Sequence, residues 1–571
     1  MKTKYIVPLL LFCLFACIAC EDETTEMPRL FRPSFIASSC FAESNTITLA
    51  WRTSGEATSY TVELSQDATF QSENLETQTV EKDKCTFANL RYETKFYARV
   101  RANNESLAIT SNWTEMGSSI STLSRTIPKI LYAVEGSQIN ETSVEIKWVV
   151  SEKNPVDGLA IWEEGTTEEK QISLEDASAG QYTITGLTPR TTYYVALTNS
   201  AAPEGAEKYN QQRFTTAGMP ADAVVVEDGV DLMDKIKAGM DDTSKQALVF
   251  QLKNGVDYYL TTGGEVAAKT GDIKLTKSIA LLANPGERPT LYIREGCFIV
   301  KPEVNMPNIE YFIVDNVNIK ETWTESKPSK GSKTRLLNIG KHNAGTDFTI
   351  DRFEITNSDI VLPSTVLMMS DASEGVTTIN HIRIDNCLVS GINDTKNVTK
   401  QFGFIHAINK GSNVWNDVSV TNSTFYEFYI SPGVFGAPTA DVPIAAGNKV
   451  VISNCTFYNW GSNKDGKNTY RAVGNFSKLT APLNLSVSNC VFGSSKSKVL
   501  DAGSINLNSK GNYCTSDFEK MSDAGLTLIS LDTDDASLFR NVEENDFTVV
   551  DAESVIYKSE YGDPRWIKVL D

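Results

Sequence analysis

The stretch Val450-Val451-Ile452-Ser453-Asn454-Cys455-Thr456-Phe457 decides the fold. Its residues alternate apolar and polar, which is the period of a strand and not of a helix. The same phrase recurs as Val314-Asp315-Asn316, Ile355-Thr356-Asn357, Ile384-Asp385-Asn386, Val420-Thr421-Asn422 and Val487-Ser488-Asn489. Successive asparagines lie 41, 29, 36, 32 and 35 residues apart. A unit of that length, repeated six times, predicts a stacked solenoid whose coils share one core. The recurrent Asn suits a tight bend, because Asn tolerates left-handed backbone angles and bonds its own chain. Stacked coil on coil, these amides can form a ladder, which places Asn357, Asn386, Asn422, Asn454 and Asn489 in one column.

The amino-terminal residues read as an address. Lys2 and Lys4 precede an apolar run, Ile6 to Ile18, too short to span a bilayer. It ends in Cys17-Ile18-Ala19-Cys20, followed by Glu21-Asp22-Glu23. This resembles the lipobox of bacterial lipoproteins, which implies cleavage before Cys20 and its lipidation. Leu14-Phe15-Ala16-Cys17 is a competing box. The acidic run resembles a surface-export signal of outer-membrane lipoproteins, so the expected location is the outer membrane, lipid-anchored and facing outward.

A formal net charge of −19 with no basic block makes nucleic acid a poor partner. The cysteines after residue 20 have no metal-type spacing. Cys387, Cys455 and Cys490 each follow a repeat Asn and read as small buried residues at one level of the coil.

Outward from the repeats, the chain divides into a leader (1–20), a tether (21–31), two sandwich-like stretches (32–124 and 125–217) and the repeat region (218–571). Ile47-Thr48-Leu49-Ala50-Trp51 and Val144-Glu145-Ile146-Lys147-Trp148 alternate with Trp on the inward side, and Leu187-Thr188-Pro189-Arg190-Thr191-Thr192-Tyr193 follows in the second copy. Both stretches resemble fibronectin type III modules; the first departs from the corner pattern, with Tyr92 for Pro and Phe96 for Tyr. Asp231 is placed to cap an amphipathic helix bearing Leu232, Met233, Ile236 and Met240, a lid for the open end of the coil. Residues 227–571 resemble the pectin-lyase-like right-handed parallel β-helix, and the layout resembles glycan-utilisation lipoproteins. The expected class is all-β: two fibronectin type III-like sandwiches, then the β-helix.

In that β-helix family the third sheet of each coil borders the polysaccharide cleft. Here that strand falls at Arg335–Ile339, Val366–Ser370, Phe402–Ala407 and Tyr470–Phe476. The resemblance implies a glycan-binding face with Arg335, His342, His406, Trp415, Trp460 and Tyr470. A lyase of this fold needs a base, for which Arg471, Lys410 and Lys341 are the candidates, and Ca²⁺, for which Asp371 and Glu374 are candidate ligands. No Asp-Asp pair of the hydrolase kind occurs within the Asn-marked coils, Asp534-Asp535 lying in the terminal cap region, and the insertion 426–447 reads as a long loop. The expected function is polysaccharide binding on a fibronectin stalk, with an acidic plant or host glycan as the expected partner. The alternatives are a lyase acting on uronate-rich glycan and a structural or adhesion protein without a glycan site.

Overall fold

The computed structural model describes residues 29–570 apart from 54, 261–271, 294–297, 322–334, 341–345, 363–365, 372–374, 393–402, 409–412, 429–432, 437–448, 461–470, 477–482, 502, 504 and 521–525. Two compact units emerge. One holds the described residues up to Thr126 together with Ser200–Glu207; the other holds Ile127–Asn199 and the described residues from Lys208 onward.

The first unit is a sandwich of two antiparallel sheets. One is built on Thr46–Arg52, the other on Ser59–Ser65 and Lys95–Asn104. Trp51 is fully buried between them with Leu49, Val62 and Phe96. Cys40 and Cys85 pack against this core as free thiols.

The second unit begins with another sandwich. Ser143–Lys147 pairs with Gln181–Thr185, facing a sheet of Lys170–Ser173, Gly158–Glu163, Thr192–Thr198 and Lys208–Thr215. Its corner is closed by Tyr193, whose hydroxyl accepts the Thr188 N–H at 3.0 Å. The other copy has buried Phe96 at the matching place, with no hydroxyl for this bond; there Thr122 Oγ1 donates to Arg91 O at 2.7 Å and accepts the Thr94 N–H at 3.0 Å.

The coil region follows. Among the described residues, three parallel sheets of ten, ten and nine strands share one core, and successive coils contribute one strand to each. The first sheet carries the strands that end in the repeat Asn, from Ile309–Asp315 to Leu483–Ser488. All six asparagines have left-handed backbones, with φ between 50° and 58°. Each bends the chain from the first sheet into the second, and each N–H is bonded to the coil above, as in Asn454 N–H to Ser488 O at 3.1 Å.

Inside, like residues stack at the strand spacing. Phe425, Phe457 and Phe492 lie in register with centroids 5.2 and 5.1 Å apart and nearly parallel rings. The helix Leu232–Asp241 closes one end, with Asp231 accepting from Asp234 N–H at 3.0 Å and Leu232, Met233, Ile236 and Met240 buried in the coil core. At the other end the chain folds back over the second sheet. Trp566 donates to Thr424 Oγ1 at 2.7 Å, and Phe547 packs on Tyr426 and Tyr458.

Candidate functional site

Two of the repeat units carry Asp before the Asn where the other four carry Thr or Ser: Asp315-Asn316 and Asp385-Asn386. Each aspartate takes over the acceptor role in the amide column. Asp315 Oδ1 accepts from Thr356 Oγ1 and Asn357 Nδ2 of the next coil, at 2.7 and 2.8 Å. Asp385 Oδ1 does the same for Thr421 and Asn422, at 2.6 and 2.8 Å. Elsewhere the amides bond each other directly: Asn386 to Asn357 at 2.8 Å, Asn454 to Asn422 and Asn489 to Asn454 at 3.2 Å. The column is therefore an Asn ladder with two carboxylate rungs.

The second oxygen of each rung meets an arginine of the second sandwich. Arg190 reaches Asp315 at 3.1 Å and Arg213 reaches Asp385 at 2.8 Å. Arg383 and Glu164 complete a four-charge network around Asp385, which is almost wholly buried. Burial works against the Asp385 carboxylate, but Arg213, Arg383, Thr421 and Asn422 outweigh it and hold its pKa below the usual range. The sandwich thus rests on the Asn turn. Gly136 sits so close to the Gly286 backbone that a Cβ there would stand 2.4 Å from its nitrogen, and Gly218 N–H donates to Asn284 Oδ1 at 2.9 Å.

Two polar grooves flank this junction. One, of about 470 Å³, is lined by Arg190, Arg213, Arg288, Asn316, Asn318 and Asp359 among others. Arg288 bridges Asp359 at 2.8 Å and Asn316 at 3.2 Å. The other, of about 440 Å³, runs past Asn422, Asn454 and Asn489 to Arg565 and Lys568. Both volumes fall within the range of small-ligand sites. In the sequence these asparagines signal the fold alone. The Asp-for-Thr exchange at 315 and 385 was the available sign that something cationic docks there.

The third sheet forms where expected, with strands Arg335–Ile339, Val366–Asp371, Ile405–Ile408 and Arg471–Asn475. Phe435–Gly436 is a further strand of that sheet inside the stretch read as one long loop. Three expected glycan contacts are corrected. His406 is fully buried: its Nδ1 accepts the Gly403 N–H at 2.9 Å, and its ring lies where a side chain on Gly436 would otherwise sit. Trp415 shares the inward register of Ile350 and Ile379 and belongs to the core. Trp460 is enclosed by Phe457, Phe492 and Phe518, with its N–H on Lys498 O at 3.2 Å. None of the three offers a face to a sugar.

Arg335 is half-buried and bonds Asn338. Arg471 pairs with Asp501, which Lys498 also reaches at 2.9 Å. Burial opposes the Asp501 charge, yet Lys498 and Arg471 hold it below the usual carboxylate range. A guanidinium committed to a carboxylate binds and orients; it is poorly placed to remove a proton. Lys498 and Asp501 lie on a further third-sheet strand, Lys496–Asp501, beyond the four expected from the sequence. Lys341, His342, Glu374, Lys410, Tyr470 and Cys20 lie outside the described residues, as does the Asp371 side chain. Among the described residues no group of three or more His, Cys, Asp or Glu is placed to hold a metal, and no helix is long and apolar enough to cross a membrane.

A fibronectin type III domain model matches residues 32–115. A domain of unknown function, DUF5123, matches residues 450–566. That span takes in the last Asn-marked coils and the returning segment as far as Trp566, the residue that reaches back to Thr424. No curated protein matches the chain. Among solved structures, the FN1–FN3 domains of chicken CNTN1 are 14% identical over 34% of this chain and 69% of that one, with a TM-score of 0.15. A two-domain fibronectin type III segment of chicken tenascin is 15% identical over 33% of this chain and 100% of that one, with a TM-score of 0.19. The chain thus joins a fibronectin type III domain to a parallel β-helix-like region.

Proposed function

We propose that this protein binds a polysaccharide in the groove between its second sandwich and the Asn turn of the coil. The observation that carries this reading is the lining of the 470 Å³ groove, where side-chain amides, guanidinium groups and carboxylates converge. Sugar hydroxyls need donors and acceptors in equal measure, and amides supply both. Three arginines face Glu135, Asp315 and Asp359, so the groove has no cation excess. That balance favours a hydroxyl-rich neutral glycan over the acidic one the sequence suggested. The lyase reading loses support, because Arg471 is tied to Asp501. Anchoring through lipidated Cys20 at the outer-membrane surface belongs to the same proposal, with the sandwiches as the stalk.

The test is retention on a panel of immobilised neutral and acidic polysaccharides. Arg288→Ala and Asp359→Ala, both partly exposed, should weaken retention about tenfold while leaving the melting temperature nearly unchanged. Lys498→Ala should retain glycan as the parent does. The reverse pattern would move the site to the third sheet, and no retention on any glycan would leave the structural or adhesion reading. Formation of unsaturated uronates, followed by absorbance, would instead show a lyase.

A further inference from the structure

We propose that Asp517, Asp535 and Thr515 hold a divalent cation of the calcium type, clipping the returning carboxy-terminal segment to the last coils. Asp535 opens the short helix Asp535–Leu538, but the helix cap is already made by Asp534, which accepts from Ser537 N–H at 2.9 Å. Asp535 is therefore free for another task. It is 3% exposed, and its Oδ2 accepts the Ser494 N–H at 2.7 Å. Its Oδ1 is buried with no hydrogen-bond partner. Thr515 Oγ1 is likewise buried without one; it lies close enough to favour the Asp535 charge, yet outside ordinary bonding geometry. The Asp517 carboxylate adjoins Asp535 from the solvent side.

Two neighbouring carboxylates, one deeply buried, are costly unless a positive charge joins them. Among the described residues no Lys or Arg forms an ion pair with either. Gly493 lets both the Tyr458 ring and this carboxylate approach its backbone, since a Cβ there would stand 2.9 Å from the ring and 3.0 Å from Oδ1. The donors are all hard oxygens, which select calcium or magnesium over transition metals. Two carboxylates and one hydroxyl leave the coordination sphere to be completed by water through exposed Asp517. Calcium tolerates that mixture better than magnesium does.

The experiment uses the full chain, stripped with chelator and titrated with CaCl₂, with MgCl₂ and KCl at equal ionic strength as controls for specificity and screening. Calorimetry should give a dissociation constant on the order of 10⁻⁴–10⁻³ M, as for open extracellular sites. Saturating calcium should raise the melting temperature by about 3–8 °C. Asp517→Asn, a surface change that leaves the fold intact, should abolish both signals. Asp535→Asn should do the same. Absence of calcium-dependent heat and of a melting shift overturns the proposal. So does a full calcium response in both variants, which would place the cation elsewhere. A shift reproduced by KCl would mark simple screening and overturn it equally. Glycan retention is measured separately, so failure here leaves the groove reading untouched.

Discussion

The buried pair between Arg213 and Asp385 gives a quantitative handle on how the second sandwich is held. The guanidinium and carboxylate approach to 2.8 Å, and Asp385 is 1% exposed. With charge centres about 4 Å apart and an effective dielectric of about 20, their attraction is ~4 kcal/mol. Desolvation offsets much of that gain, so the pair adds little net stability compared with an apolar contact. Removing one partner is another matter, because it strands the other. Asp385→Asn keeps an acceptor for Thr421 and Asn422 but leaves Arg213 and Arg383 sharing only Glu164. The expected cost is about 3–5 kcal/mol. Arg213→Met leaves Arg383 on Asp385, so about 2–3 kcal/mol is expected. The double variant should cost less than the sum by about 1–3 kcal/mol. Hydrogen exchange along Thr192–Thr198 and Lys208–Thr215 reports local opening of the sandwich sheet beside the junction, and urea unfolding reports the whole unit. If the two single effects add to within ~0.5 kcal/mol, the ion pair does not anchor the junction and the account of the Asp rungs is wrong.

Ile452 is fully buried in the coil core, so Ile452→Asp should prevent folding or cost more than ~4 kcal/mol; an unchanged urea midpoint would place Ile452 in solvent. Asn454 has φ 52° and both donates and accepts in the amide column. Asn454→Ala loses both bonds and strains the left-handed turn, about 2–3 kcal/mol, whereas Asn454→Gly loses only the bonds and should be milder by ~1 kcal/mol. Equal melting temperatures for the two variants would contradict that division. Asp563 is wholly buried, and burial lifts its pKa to about 6 against Arg565 and Thr424. Its folded value exceeds the unfolded one of about 4, so this carboxyl's stabilising effect is present below pH ~4 and is lost as pH rises through 6. Asp385, Asp501 and Glu164 are shifted down, and their contribution is present above pH ~4 and lost below it. Melting temperature should therefore pass through a maximum between about pH 4 and 6, and Asp563→Asn should flatten its alkaline side. A profile that rises steadily to pH 8 would refute this.

The coil was legible because its signal is local and repeated. Alternation around Asn454 fixes the strand, and the left-handed turn needs a residue type that can be read directly. The capping helix was legible for the same reason, from Asp231 and the spacing of Leu232, Ile236 and Met240. The site was not. Trp415 and Trp460 look alike in sequence to exposed sugar platforms, but one takes an inward strand register and the other fills a gap among phenylalanines. Which way a ring points depends on neighbours 30 or more residues away. The junction depends on contacts between residues 125 and 172 apart, such as Arg190 with Asp315 and Arg213 with Asp385. No single-sequence period encodes those.

The returning carboxy-terminal segment has a kinetic consequence. Coils propagate by contacts with the previous coil, some thirty residues back, so each can form as soon as its own strands are available. The segment around Trp566 instead closes a loop of 142 residues onto Thr424. Its docking surface, Thr424, Thr456 and Val491, does not exist until three coils have stacked. It is also synthesised after every coil that it covers. Between completion of the coil and arrival of this segment, Tyr426 and Tyr458 lie uncovered beside parallel strands. The interval is a window for association with other chains. Truncation before Trp566 would hold that window open permanently, so shortened chains should fail by aggregation while their coils remain individually sound.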